Sequence, residues 1–236
     1  MNNPRQCRSW IFGKLGRIAG AVLALAILLV LAVLATGSAQ AQTYTYSVLY
    51  SFTGSPDGAF PTGGVPDANG DLYGTTYYGG ASGYGTVFKV GPTGKETVLH
   101  SFTGGGDGAY PFAGLVRDAQ SNLYGTTYYG GSCNCGTVFK LDATGKETVL
   151  YRFTGSPDGS YSESGLLLDA PGNLYGTTPD GGASGYGTVF KVDPTGKETV
   201  VYSFTGGGDG GNPTAALARD PQGNLYGTTR NGGTSG

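Results

Sequence analysis

Asn122-Leu123-Tyr124-Gly125-Thr126-Thr127, then Gly136-Thr137-Val138-Phe139-Lys140, then Thr144-Gly145-Lys146-Glu147-Thr148-Val149 and Phe153-Thr154-Gly155: the chain repeats this stretch, and the repeat sets the architecture. Leu-Tyr-Gly-Thr-Thr starts at Leu72, Leu123, Leu174 and Leu225, a spacing of 51 residues each time. Gly-Thr-Val-Phe-Lys starts at Gly85, Gly136 and Gly187, and Thr-Gly-Lys-Glu-Thr-Val at Thr93, Thr144 and Thr195. Phe-Thr-Gly recurs at Phe52, Phe102, Phe153 and Phe204. A period of this length marks a repeat architecture.

Each copy offers four strand candidates. The first is short, as in Gly114-Leu115-Val116-Arg117-Asp118. A turn such as Asp169 to Asn173 leads to the second, Asn-Leu-Tyr-Gly-Thr-Thr. Asn and Gly tolerate the positive φ that tight hairpins require. A Gly-rich loop leads to the third, Gly-Thr-Val-Phe-Lys, and Pro92-Thr93-Gly94-Lys95 and its copies lead to the fourth. Four antiparallel strands in about 51 residues predict an all-β chain, a β-propeller of one blade per repeat, with a β-sandwich-like repeat array as the alternative. Val87-Phe88 and Val98-Leu99 put apolar side chains on both faces of their strands, as a blade packed between two neighbours requires.

Working outward, Tyr44 to Phe52 reads as a lone fourth strand. At the other end the sequence stops at Gly236, inside a loop, so the expectation is an incomplete fragment of a larger ring, its C-terminal anchor unseen. Before the repeats, Arg5, Arg8, Lys14 and Arg17 precede an apolar run from Ile18 to Leu34, which ends in Ser38-Ala39-Gln40-Ala41. That is a basic, apolar, small-residue order, and it predicts a cleaved signal peptide over 1–41 and a repeat region over 42–236. An uncleaved membrane anchor is the rival reading of the same run.

All 16 acids lie beyond residue 41, against ten of the 14 Lys and Arg, so the region after the predicted cut carries a net charge of −6. Nucleic acid and anionic lipid both need a basic face, so neither is an expected partner. Membrane contact is left to the signal segment or to an anchor. The 46 glycines suit short strands and tight turns rather than helices.

The search for chemistry is short. His100, the only histidine, stands where the other repeats have Tyr50, Tyr151 and Tyr202, and reads as a strand substitution. No metalloprotease, nucleophile-elbow or phosphate-loop motif occurs, so no catalytic residue, metal ligand or cofactor is assigned. Asp67-x-Asn69-x-Asp71 faintly resembles a calcium loop but lacks its glycine and distal glutamate, and reads as a hairpin turn. Cys133-Asn134-Cys135 replaces Ser82-Gly83-Tyr84 of the previous repeat. These two cysteines admit a local disulfide, free thiols or a metal pair. Asp57, Asp107, Asp158 and Asp209, each before a glycine, read as turns or as a ring of carboxylates for cations or sugar hydroxyls. Tyr77, Tyr78, Tyr128 and Tyr129 in the Gly-rich loops either fill space between blades or stack on a ligand. In a four-stranded meander the connections after strands two and four emerge at the same end, so these tyrosines and aspartates are expected on one face.

The Leu-Tyr-Gly-Thr-Thr, Gly-Thr-Val-Phe-Lys and Phe-Thr-Gly pattern resembles the GloVer tandem repeat of bacterial "choice-of-anchor" surface proteins, over about Tyr46 to Gly236. The resemblance implies an extracellular or surface location and no reaction. Three functions are compatible with the sequence. One is a secreted or cell-surface binding scaffold for neutral glycan or an extracellular protein. Another is an extracellular propeller enzyme, a polysaccharide lyase or hydrolase, with its catalytic groups in further blades. The third is a structural spacer.

Overall fold

The computed structural model describes residues 45–233. The predicted signal peptide lies outside the described residues. The chain divides between Ser47 and Val48, and only the second unit is substantially described.

That unit is all β. The first sheet holds β1 (Ala59–Pro66), β2 (Leu72–Tyr78), β3 (Thr86–Val90) and β4 (Glu96–Ser101) in sequential order. The second holds β5 (Val116–Arg117), β6 (Leu123–Thr127), β7 (Thr137–Leu141) and β8 (Glu147–Arg152). The third holds β9 (Leu167–Leu168), β10 (Leu174–Thr178), β11 (Thr188–Val192) and β12 (Glu198–Ser203). A last hairpin pairs β13 (Ala218–Arg219) with β14 (Leu225–Tyr226). Every pairing between these strands is antiparallel, as expected of propeller blades. The segment read as a lone fourth strand is corrected: residues 45–53 form no strand. A strand is defined by its ladder, and no third strand lies beside this segment among the described residues.

The repeated letters each have a task. Phe88, Phe139 and Phe190 are buried in the third strands. Each meets, edge to face, the phenylalanine that ends the preceding repeat: Phe52 on Phe88 at 4.7 Å, Phe102 on Phe139 at 5.2 Å, Phe153 on Phe190 at 5.0 Å. So each repeat completes the core of the next, and the seam between blades is the hydrophobic core. The glycine of Leu-Tyr-Gly-Thr-Thr is the floor under that ring. A Cβ at Gly125 would lie 2.7 Å from the Phe139 ring tip.

The threonines are stitches. Thr75 Oγ1 donates to the carbonyl of Ala113, and Thr126 Oγ1 to that of Ser164, each bond crossing to the next blade. Thr76, Thr127 and Thr178 pair with Thr86, Thr137 and Thr188 on the neighbouring strand at 2.8–2.9 Å. All are buried, and buried hydroxyls are tolerated because they are bonded. A bulge recurs where β3 meets β4, β7 meets β8 and β11 meets β12. Leu99 and Leu150, the extra residues of the first two bulges, pack against the core clusters.

The tight turns belong to the frame. Asp67 accepts from the amides of Asn69 and Asp71 and from the Tyr73 hydroxyl. Asp118 and Asp169 do the same work with Asn122 and Asn173.

Candidate functional site

The loops after the second and fourth strands meet on one face. Ala109 bridges Tyr129, Ser160 bridges Asp180, and Gly211 bridges Asn231. The tyrosine loops and the aspartate loops therefore touch, but their side chains go to different places.

The aspartates turn inward. Asp57 accepts from the Tyr50 hydroxyl (2.7 Å), the Thr53 amide (3.0 Å) and the Thr53 hydroxyl (2.8 Å). Asp158 takes the same three bonds from Tyr151 and Thr154. Asp209 takes them from Tyr202 and Thr205. At Asp107 the Thr103 bonds persist, and His100 Nε2 stands 3.6 Å away in the place of the tyrosine hydroxyl. Asp57 and Asp158 are 6% and 4% exposed. The oxygens of these two close the Tyr-x-Phe-Thr-Gly loop rather than point to solvent.

The electrostatics agree. Burial raises the Asp57 carboxyl, but the bonds from Tyr50 and Thr53 outweigh it and hold the group below its ordinary value. The Tyr50 phenol, bonded to that carboxylate, is pushed up to about 12. Asp209 falls to about 2, chiefly through its Thr205 bonds. His100 is lowered by burial, against the opposing pull of Asp107. The glycine after each aspartate lets the loop close on the second strand. At Gly159 φ is +114°, and a Cβ would meet the Thr178 side chain.

The tyrosines form a continuous aromatic run. Tyr77 stacks on Tyr110 at 5.1 Å and 26°, and Tyr128 stacks on Tyr161 at 5.2 Å and 25°. Tyr78 and Tyr129 stand perpendicular to Tyr77 and Tyr128, each at 4.6 Å. Tyr110 reaches Tyr129 at 6.0 Å and joins the two halves. Phe60 and Phe112 extend the run at 5.8 Å from Tyr78 and 5.7 Å from Tyr77. Phe60 is 70% exposed, Tyr78 and Phe112 45% each. Tyr77, Tyr110, Tyr128 and Tyr161 are half-buried beneath them, and burial raises the Tyr77 and Tyr128 phenols. The inner rings pack against one another, and the outer rings present exposed area.

Phe60, Tyr110, Tyr161 and Asn212 occupy one position of the repeat, and all four are left-handed, with φ between +52° and +62°. Asparagine tolerates that region, but a bulky aromatic there is an outlier. Sequence reading missed these residues, since only the backbone reveals the φ. Their signal was an aromatic two residues after the glycine of the first three Asp-Gly pairs.

In the Gly-rich loop of the second repeat, Cys133 and Cys135 lie with their sulfurs at bonding distance and their Cα atoms 5.3 Å apart. In the flanking repeats Tyr84 and Tyr186 cover Gly104 and Gly206 instead.

The sequence profile of the Gloeobacter/Verrucomicrobia repeat matches residues 38–236. The chain belongs to this repeat family. No curated protein matches it. Among solved structures it is similar to a gluconolactonase from Xanthomonas campestris, at 17% identity and a TM-score of 0.50, over 75% of this chain and 56% of that one. It is also similar to the PQQ-bound form of an aldose sugar dehydrogenase from Streptomyces coelicolor, at 17% identity and a TM-score of 0.47, over 72% of this chain and 56% of that one. The repeat chain thus spans a little over half the length of these structures. At such identity the first likeness speaks for the propeller fold alone.

Proposed function

We propose that this protein is an exported surface scaffold whose tyrosine-bearing face docks a neutral polysaccharide. The observation that carries the reading is the left-handed aromatic position. Holding Phe60, Tyr110 and Tyr161 there costs about 1–2 kcal/mol each. Asn212 at the same site shows that a cheaper residue fits. Strained residues that persist cluster at ligand clamps. What these aromatics supply is a rigid, partly exposed row of rings on a blade scaffold, the chemistry that stacks on sugar rings. The net negative charge beyond residue 41 disfavours an anionic polymer. Export rests on the basic, apolar and small-residue order of 1–41, and predicts a mature N-terminus at Gln42.

The test is an array of β-glucans, mannans and xylans, probed with wild type and with Tyr78→Ala/Phe112→Ala. Both side chains are half exposed, so the fold should persist. Retention on at least one neutral polymer, lost in the double variant, is expected. Retention unchanged in the double variant would move the site elsewhere. Binding only to an extracellular protein, through the same side chains, would replace the ligand class and keep the face.

A further inference from the structure

The repeats keep their frame and diverge on this one face. Tyr77 and Tyr128 become Pro179 and Arg230, and Tyr78 and Tyr129 become Asp180 and Asn231. Tyr110 and Tyr161 become Asn212, and Phe112 becomes Glu163 and then Thr214. Over the same four repeats Leu-Tyr-Gly-Thr-Thr does not change. The aromatic run therefore ends at a boundary, and beyond it the equivalent positions are polar.

At that boundary lies a cleft of about 190 Å³. Tyr128 forms its aromatic wall, and Glu163, Asp180, Asn212, Arg230 and Asn231 line the rest. The polar wall is built. Asn212 Nδ2 donates to the Pro179 carbonyl at 2.9 Å and reaches Asp180 Oδ1 at 3.4 Å. Asn231 Nδ2 donates to Asn212 Oδ1 at 3.0 Å. The Arg230 amide donates to the Asn212 carbonyl at 3.2 Å. Glu163 stands where the preceding repeat has Phe112, the residue that touches Tyr77 edge-on. It is a carboxyl held beside an aromatic wall. Burial raises its pKa, Arg230 opposes this, and Asp180 adds to it.

We propose that this cleft is a subsite for one neutral sugar ring, stacked on Tyr128 and bonded through its hydroxyls to Glu163. The proposal rests on the polysaccharide reading of the neighbouring aromatic row and adds its point of specificity. The wall chemistry selects the class. Sugar hydroxyls both donate and accept, and so need carboxylate acceptors and guanidinium or amide donors together. Glu163 and Asp180 disfavour a uronate or phosphate. Arg230 offsets one of these two carboxylates and supplies a donor. The small volume and the single stacked wall suit one ring rather than a peptide strand. Glu163 is the specificity residue, because its carboxylate accepts from two hydroxyls while its neighbours are already tied to one another. A hydrogen bond to a charged group contributes about 1.5–3 kcal/mol.

The experiment titrates the full chain with cellobiose, laminaribiose, mannobiose and xylobiose, with digalacturonate and a glucosamine dimer as charged comparators. Binding is read by calorimetry and by tyrosine fluorescence. At least one neutral disaccharide should bind saturably. Glu163→Ala should weaken it about tenfold or more, since tenfold is about 1.4 kcal/mol, without moving the melting temperature. Tyr78→Ala/Phe112→Ala should weaken a long polymer while sparing the disaccharide. No saturable neutral disaccharide binding up to about 20 mM, far weaker than the roughly millimolar affinity worth about 4 kcal/mol, would overturn the subsite even if polymers still bind the aromatic row. So would disaccharide binding indifferent to Glu163→Ala, or preference for a charged comparator. Saturable, Glu163-dependent disaccharide binding without any polymer binding would sink the aromatic-row reading and leave the cleft standing.

Discussion

Replacing Asp158 by alanine removes the acceptor of three hydrogen bonds at once. The Tyr151 hydroxyl, the Thr154 amide and the Thr154 hydroxyl all end on this carboxylate, in a site 4% exposed. Hydrogen bonds to a charged acceptor contribute about 1.5–3 kcal/mol each, but they share one group and are not additive. Thr154 is exposed and can turn to water, whereas the Tyr151 phenol is half-buried and packs edge-on to Phe153. The loss should be about 3 kcal/mol, carried mainly by the stranded phenol. For a domain of this size that lowers the melting temperature by about 6–12 °C. Asp158→Asn keeps the acceptor oxygen and gives up the charge, so about half the loss is expected. Asp209→Ala removes the same bonds among exposed partners and should cost much less. Thermal and urea unfolding of the three variants check this. A loss below about 1 kcal/mol for Asp158→Ala, or parity with Asp209→Ala, would refute the loop-closing role. It would reopen the case for these carboxylates as ligand groups.

Stability should also depend on pH in an unusual direction. Glu147 and Glu198 each bury a carboxyl oxygen that has no hydrogen-bond partner among the described residues. Burial first, then Asp107 for Glu147 and Asp158 for Glu198, raises both to about 7, with Arg152 opposing the rise at Glu147. A raised carboxyl favours the folded state while protonated, so this stability is present below about pH 4.5 and lost as the pH climbs through about 7. A tenfold change in proton affinity is worth about 1.4 kcal/mol, and solvent screening of these half-buried groups leaves about 1 kcal/mol per glutamate. The depressed Asp57 and Asp209 act oppositely, losing their contribution as pH falls below the ordinary carboxylate range. Melting should therefore peak in mild acid and decline toward about pH 8, and Glu198→Gln should flatten the decline; a profile rising through that window contradicts the assignment. Gly125→Ala should destabilise by about 2 kcal/mol or more by driving a Cβ into the Phe139 ring, with loss of cooperativity in urea, and a neutral effect would mean the seam is looser than the distances say. Unreduced, denatured protein lacking residues 1–41 should show no free thiol by titration, and two thiols per chain would rule out the Cys133–Cys135 bond.

The repeat, its four strands and their order are legible in the letters alone. Those follow from strictly local physics: turn residues at fixed offsets, β-favouring runs between them, and a 51-residue period that leaves each unit unable to bury its own apolar face. Meander geometry even placed the tyrosine and aspartate loops on one face. Composition could not divide the labour within that face, because aspartate before glycine has the same letters whether its carboxylate points out or in. Tertiary packing alone folds Asp57 and Asp158 back onto the Tyr-x-Phe-Thr-Gly loop, since their partner hydroxyls lie four to seven residues earlier and both carboxylates are buried. It likewise decided that Phe60, Tyr110 and Tyr161 are left-handed, a property of backbone dihedrals that no side-chain pattern encodes. The Glu163 cleft needed both. The divergence of the repeats is written in the letters, but Glu163 and Arg230 are 67 residues apart in the chain, and only blade-to-blade packing makes them neighbours.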